Sequence, residues 1–173
     1  MADLPVLTTP RTIITPFTAE HLTDTYVAWL NDPEVVKYSR QRFQTHTKDS
    51  CRAFFRSFEN SASHFSAILS KGRHIGNIST SVNREDNIAD ISLLIGAKEM
   101  WGQGYGAEVW GAVMSALFDN GLRRVTGGCM ADNAGMIHVF QKTGMVPYYV
   151  RSGYFLRDGH SVDSVHYKKD RAA

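Results

Sequence analysis

Apolar and polar positions alternate over short runs through much of this chain, and shift to a three-to-four spacing in four places. Alternation predicts half-buried strands, and the longer spacing predicts amphipathic helices. Residues 11–16 (RTIITP) form a short β-rich run. Thr18 can cap a helix over 19–30, with Leu22, Tyr26 and Trp29 or Leu30 on one face, and Asn31-Asp32-Pro33 ends it. A second helix is expected from Thr47, carrying Cys51, Phe54, Phe55 and Phe58 along one side. Residues 64–69 and 74–82 read as a hairpin around Lys71-Gly72, and a polar loop (83–87, NREDN) leads to a third strand over 89–95.

The remaining pattern is mixed. A connector over 96–100 precedes the run WGQGYGAE, and a helix follows to about Asn120, with Ala107, Trp110, Met114, Leu117 and Phe118 at helical spacing. Gly121 is placed to close it. Residues 124–130 predict a strand, and Asp132 or Asn133 caps a helix ending at Lys142-Thr143 before Gly144. Residues 148–155 and 161–168 predict two closing strands around Arg157-Asp158-Gly159. The expectation is an α/β (α+β) domain, a mixed sheet of about seven strands flanked by about four helices. At 173 residues and with no internal repeat or linker, one domain is expected.

Composition narrows the function classes. Lys+Arg number 19 against Asp+Glu 17, too near balance for binding driven by phosphate neutralisation, so no nucleic-acid partner is expected. Two cysteines, Cys51 and Cys129, exclude a disulfide scaffold or a Cys-rich zinc module, and Cys129 reads as a buried thiol. The histidines form no metal-binding spacing; His160 and His166, in or near the last strand, stand too far apart to share an ion, so no metal is expected. Residues 1–9 lack the pattern of a signal peptide, and no apolar run reaches the ~20 residues that span a bilayer. A soluble, cytoplasmic protein without a membrane partner is expected.

Gly102, Gly104 and Gly106 follow a strand and open a helix. Lacking Cβ atoms, such a turn lets a ligand approach the backbone, and its N–H groups at the positive end of a helix suit a pyrophosphate. There is no G-x-x-x-x-G-K-[ST] run, which excludes a P-loop. The spacing from Gly102 to Ala107 would allow a dinucleotide fingerprint, but that motif belongs after the first strand of a βαβ unit, and this turn follows three consecutive strands.

This turn and the preceding ADISLLIG resemble the acetyl-CoA-binding segment of the GNAT N-acetyltransferases, more narrowly the RimJ/RimL-like branch. Further matching pieces occur in order: WLNDPEV at 29–35, HIGNI at 74–78, and Asn133 followed by FQKTGM at 140–145. The resemblance covers about residues 10–168 and implies the GNAT fold and acetyl transfer by direct attack of an amine on the thioester. It assigns cofactor contacts to Leu94, Ile95, Gly96, Gly102, Gln103, Gly104, Tyr105, Gly106, Ala107, Asn133, Phe140 and Lys142. It also implies a bulged, splayed strand at 93–96 that offers main-chain N–H groups. Asp90 and Glu34 are the candidate general bases.

Three positions depart from the family pattern. Trp101 stands where Gln or Arg is usual, Phe140 where many members carry an acidic Tyr, and Met136 where the branch often has Ser. Tyr105, Tyr148 and Tyr149 are substitute acids. The acceptor is expected to be a small-molecule or peptide amine, with Arg40 and Arg42 available to a phosphate or carboxylate. A homodimer is compatible with the resemblance. The rival expectation is a non-catalytic module that keeps the CoA cradle and has lost transfer.

Overall fold

Pairing of remote segments builds one sheet. In the computed structural model, residues 4–172 are described; the first three residues of the N-terminal stretch considered above lie outside them. The elements are β1 (Leu7–Thr8), β2 (Ile13–Pro16), α1 (Asp24–Asn31), α2 (Lys48–Arg56), β3 (His64–Ser70), β4 (Arg73–Asn83), β5 (Ile88–Ile95), α3 (Tyr105–Asp119), β6 (Arg124–Met130), α4 (Ala134–Lys142), β7 (Val146–Arg157) and β8 (His160–Asp170). The strand order is β1-β2-β3-β4-β5-β6-β8-β7, an eight-stranded sheet, one strand more than the periodicity predicts. The additional strand, β1, is only two residues long, too short for alternation to register.

Every neighbouring pair is antiparallel except β5 and β6, which the helical crossover through α3 makes parallel. The larger core lies between one sheet face and the helices α3 and α4, where Ile14, Ile68, Ile78, Ile91, Val109, Trp110, Val113, Val125 and Phe140 are buried. The opposite face carries a smaller core of Phe17, Tyr26, Leu30, Cys51 and Ala67 under α1 and α2. Cys129 is buried, and burial, reinforced by the Asp132 carboxylate, pushes its thiol up to about 12.

The first predicted helix is divided. Thr18 does cap, but its backbone N–H donates to His21 Nδ1 at 2.9 Å, closing a 3-10 turn over Ala19–His21. Leu22 then leaves helical geometry and Thr23 accepts from the Tyr26 N–H at 3.1 Å, starting α1 afresh. Two competent caps five residues apart each fix their own turn. The helix α2 likewise ends at Arg56, so Phe58 lies beyond it.

Gly127 shows how tightly the main core is closed. A Cβ there would stand 2.7 Å from the Trp110 ring and 2.9 Å from Phe140, both fully buried. Gly127→Ala is therefore expected to destabilise the fold by about 1–3 kcal/mol, through overpacking. Chemical denaturation would check this, and an unchanged midpoint would refute it.

Candidate active site

The expected divergence lies between β5 and β6. Their parallel ladder holds only Ile88↔Arg124, Ala89↔Val125 and Asp90↔Thr126, and ends there. Beyond Asp90, β5 pairs with β4 alone and β6 with β8 alone, which opens a gap. Gly96 directs its N–H to Ile75 O at 3.0 Å, toward β4. Strand alternation therefore points the N–H groups of Leu93 and Ile95 into the gap. The β4–β5 register runs unbroken from Asn83↔Ile88 to Gly76↔Ile95, and the expected bulge sits at its end, where the N–H groups of Gly96 and Ala97 both donate to Ile75 O, at 3.0 and 3.1 Å. A separate register shift lies one ladder away, between Ile68 and Leu69 of β3.

The glycine turn stands at the end of this gap. Gly102 and Gly104 have φ of +71° and +83°, values that L side chains rarely adopt. Among the described residues, no backbone N–H from Gly102 to Ala107 donates a hydrogen bond, and Gly104 caps α3 without a side chain. This is the chemistry a pyrophosphate needs: consecutive unspent donors at the positive end of a 15-residue helix, over glycines. The residues present thus fit acetyl-CoA at its diphosphate. Gly106 serves packing, since a Cβ there would stand 3.2 Å from Val139 and 3.3 Å from Leu93.

Two side chains brace the turn. The Trp101 indole N–H donates to Ile95 O at 2.8 Å, satisfying the last carbonyl of β5. The other is Arg11, between β1 and β2, which no local pattern singles out. Its Nε donates to Glu108 at 2.7 Å, its Nη1 to Gln103 O at 2.8 Å, and its guanidinium lies 4.2 Å from the Tyr105 ring centroid. Burial opposes the Glu108 carboxylate, but hydrogen bonds from Thr9 and Arg11 and the guanidinium charge outweigh it and hold its pKa low.

Asp90 occupies the point of divergence. Its carboxylate accepts from Thr126 Oγ1 at 2.7 Å and faces a cavity of about 300 Å³ walled by Ser79, Thr80, Ser81 and Ser92. Solvent reaches Asp90, but the surrounding protein mass desolvates it enough to raise its pKa, against the opposing pull of Thr126. Glu34 does not line this cavity. It is an exposed partner of Lys98 at 2.8 Å, and the same ammonium contacts Asp32 at 2.9 Å. The structure does not bring the two candidate bases together.

The other expected contacts divide between gap and scaffold. Leu94 lines a second cavity, and Gly96 is pressed under Trp29, where a Cβ would collide with the indole. Gln103 is tied by its side chain to Glu99 O at 2.5 Å. Asn133 caps α4, accepting from the Met136 N–H at 3.1 Å. Phe140 is fully enclosed, stacked on Tyr167 at 4.8 Å and edge-on to Trp110 at 5.3 Å, so its ring supports the core. Lys142 is exposed on the last turn of α4.

Comparison with known proteins decides the family. The Acetyltransferase (GNAT) domain pattern matches residues 11–146. The chain belongs to the GNAT acetyltransferase family. Membership implies acetyl-CoA-dependent N-acetylation, and the eight-stranded mixed sheet with four α-helices is the GNAT fold. A GNAT acetyltransferase from Bacillus anthracis is similar in structure, with TM-score 0.81 at 17% identity over 96% of this chain and 99% of that one. The ribosomal alpha-N-protein acetyltransferase RimL in complex with coenzyme A has TM-score 0.84 at 14% identity, covering 96% and 97%. The spermidine N-acetyltransferase from Vibrio cholerae, in complex with CoA and spermine, has TM-score 0.83 at 14% identity, covering 94% and 97%. No curated protein matches the chain in sequence. No helix among the described residues is long and apolar enough to cross a membrane.

Proposed function

We propose that this GNAT domain is a RimJ/RimL-like N-acetyltransferase in which a primary amine attacks the acetyl-CoA thioester directly. The observation that carries this reading is the gap beyond Asp90↔Thr126, ending at a turn with unspent N–H groups. Acetyl-CoA supplies the activated acyl carbon and a thiolate leaving group. The N–H groups from Gly102 to Ala107 hold the pyrophosphate. Those of Leu93 and Ile95 meet the negative charge that develops on the attacked carbonyl oxygen, a role typically worth ~10²–10³ in rate. Asp90 removes the proton from an amine that, with a pKa of about 8–10, is mostly charged at neutral pH. A thiol pKa near ~8.5 asks little acid help from the protein, so Phe140 in place of a tyrosine is compatible with turnover. Glu34, held by Lys98, has a bracing role.

Thermal shift with acetyl-CoA, CoA and NADH at matched concentrations, followed by mass spectrometry of amines incubated with acetyl-CoA, tests the proposal. Stabilisation by the first two alone is expected, about 2.7 kcal/mol at 100 times the dissociation constant, together with an acetylated amine. No stabilisation by either overturns the proposal. Binding without transfer to any amine replaces it with the non-catalytic module.

Arg11 should matter to the pyrophosphate end alone. Arg11→Ala removes a charge-assisted bond worth ~1.5–3 kcal/mol, so acetyl-CoA should bind at least ~10-fold more weakly. Binding of S-acetylpantetheine, which lacks the pyrophosphate, should be unchanged. Equal weakening of both ligands would make Arg11 a general structural brace instead.

A further inference from the structure

One titratable ring on the Asp90 face of the sheet has no part in the steps above. Asp90 faces the cavity partly walled by Ser57 and Phe58, just after α2, and Thr126 of β6 bonds it there. Strand alternation places Gly128 on the same face two residues further, where β5 has already parted from β6. Gly128 lies opposite His166 of β8, which shares that face, while Val165 and Tyr167 turn to the main core. Gly128 is exposed, and a Cβ there would stand 2.6 Å from His166 Nδ1. The imidazole thus leans from β8 across β6, over a stretch of the gap wall that has no side chain.

Its surroundings hold the ring and leave Nδ1 open. Nε2 lies 2.9 Å from the Oγ of buried Ser164. The ring stacks on Tyr149, with centroids 4.2 Å apart and planes at 10°. Among the described residues, Nδ1 has no hydrogen-bond partner. The charged groups around it are Arg151 of β7, Lys168 of β8, which pairs with Asp170, and Asp90 across β6. Burial and the Arg151 charge lower the His166 pKa, so at neutral pH the ring is neutral and able to accept a proton.

Direct transfer from a charged amine moves two protons. The first passes to Asp90 before attack. The second is still on nitrogen once the C–N bond has formed, and belongs on sulfur once the C–S bond has broken. Phe140, enclosed in the core, has no group to carry it.

We infer that His166 is a catalytic residue that carries this second proton from the acceptor nitrogen to the departing sulfur. The inference rests on the acetyltransfer reading above. Nε2–H donates to Ser164 Oγ, which leaves the Nδ1 lone pair facing the gap. Nδ1 takes the proton from the nitrogen after that atom has bonded to the acyl carbon. The C–S electron pair goes to sulfur as the carbonyl re-forms, and the imidazolium gives its proton to that thiolate. The ring ends neutral, with an amide and a free thiol as products. About 10 Å of sheet separates the strands of Asp90 and His166, so the amine stands between the two.

The test uses the intact chain with spermidine, tyramine and a serine-initiated tripeptide amide as probe amines. His166→Gln should lower kcat by ~10²–10⁴ with the best probe, and isothermal titration should show acetyl-CoA affinity unchanged. In His166→Ala, imidazole added to the buffer should restore turnover, which a merely structural loss would not allow. NMR titration of the unloaded wild type should find the His166 ring neutral at neutral pH, with a pKa below the ordinary ~6.5. The residual kcat of Asp90→Asn should still fall in acid through that same value. Near-wild-type kcat in His166→Gln overturns the inference, as does a loss in His166→Ala that imidazole does not restore, or a ring charged at neutral pH. Each of these leaves the acetyltransfer reading standing. Should the His166 variants not fold, the NMR titration and the Asp90→Asn profile decide: agreement between them supports the inference, and disagreement overturns it. Should the wild type acetylate none of the three amines, the reading on which the inference rests falls, and the inference with it.

Discussion

Gly104→Val is expected to abolish measurable acetyl-CoA binding while leaving the protein folded. Gly104 has φ +83° at the cap of α3, and a valine there would be strained by about 1–3 kcal/mol. That is a fraction of the ~5–15 kcal/mol stability of an ordinary domain, so the fold should survive. Binding should not. The first Cβ would reach only Arg11 Nη2, 3.5 Å away, but the two branching methyls would stand over the N–H groups that await the pyrophosphate. Gly102→Ala separates strain from occlusion, because nothing lies within 4 Å of that Cβ. Isothermal titration with acetyl-CoA should show binding retained in Gly102→Ala and lost in Gly104→Val. Wild-type affinity in Gly104→Val would remove the turn from the donor site.

Asp90→Asn should slow transfer by ~10²–10⁴, the usual contribution of a positioned base, without changing acetyl-CoA affinity. The same substitution should make the protein more stable at neutral pH. Desolvation raises the Asp90 pKa, so the folded state favours its protonated form. The stability from that protonated group is complete below the ordinary carboxylate pKa, about 3.9, and is lost as pH rises through the raised value. Asparagine is neutral throughout and avoids that loss. The stability gain of the variant should therefore appear above the raised pKa and vanish in acid. In the wild type, activity should rise through that same pKa, and Asp90→Asn should lack that limb. Denaturation at several pH values, together with a pH–rate profile, reads both effects. Full activity with an unchanged profile would leave proton removal to another group.

These expectations differ in how far local sequence reaches. The glycine turn was readable because positive φ leaves few alternatives to glycine, and because a strand before it and a helix after it announce themselves by periodicity. Asp90 could be placed on its strand, but its raised pKa depends on walls contributed by β4 and by the segment after α2. Glu34 looked comparable in sequence, and only Lys98, 64 residues away, reveals its surface pairing. Trp101, a departure from the family pattern, makes sense once its indole is seen closing the end of β5.

By itself the sequence determined the strands and helices, apart from β1 and the divided first helix, and the turn that opens α3. Period, caps and backbone conformation are properties of residues only a few positions apart. Tertiary structure alone decided that Arg11 braces a turn 92 residues away and that β5 and β6 part after Asp90. Each of those depends on which distant segments share a face and where their pairing ends, and short-range patterning carries no term for either.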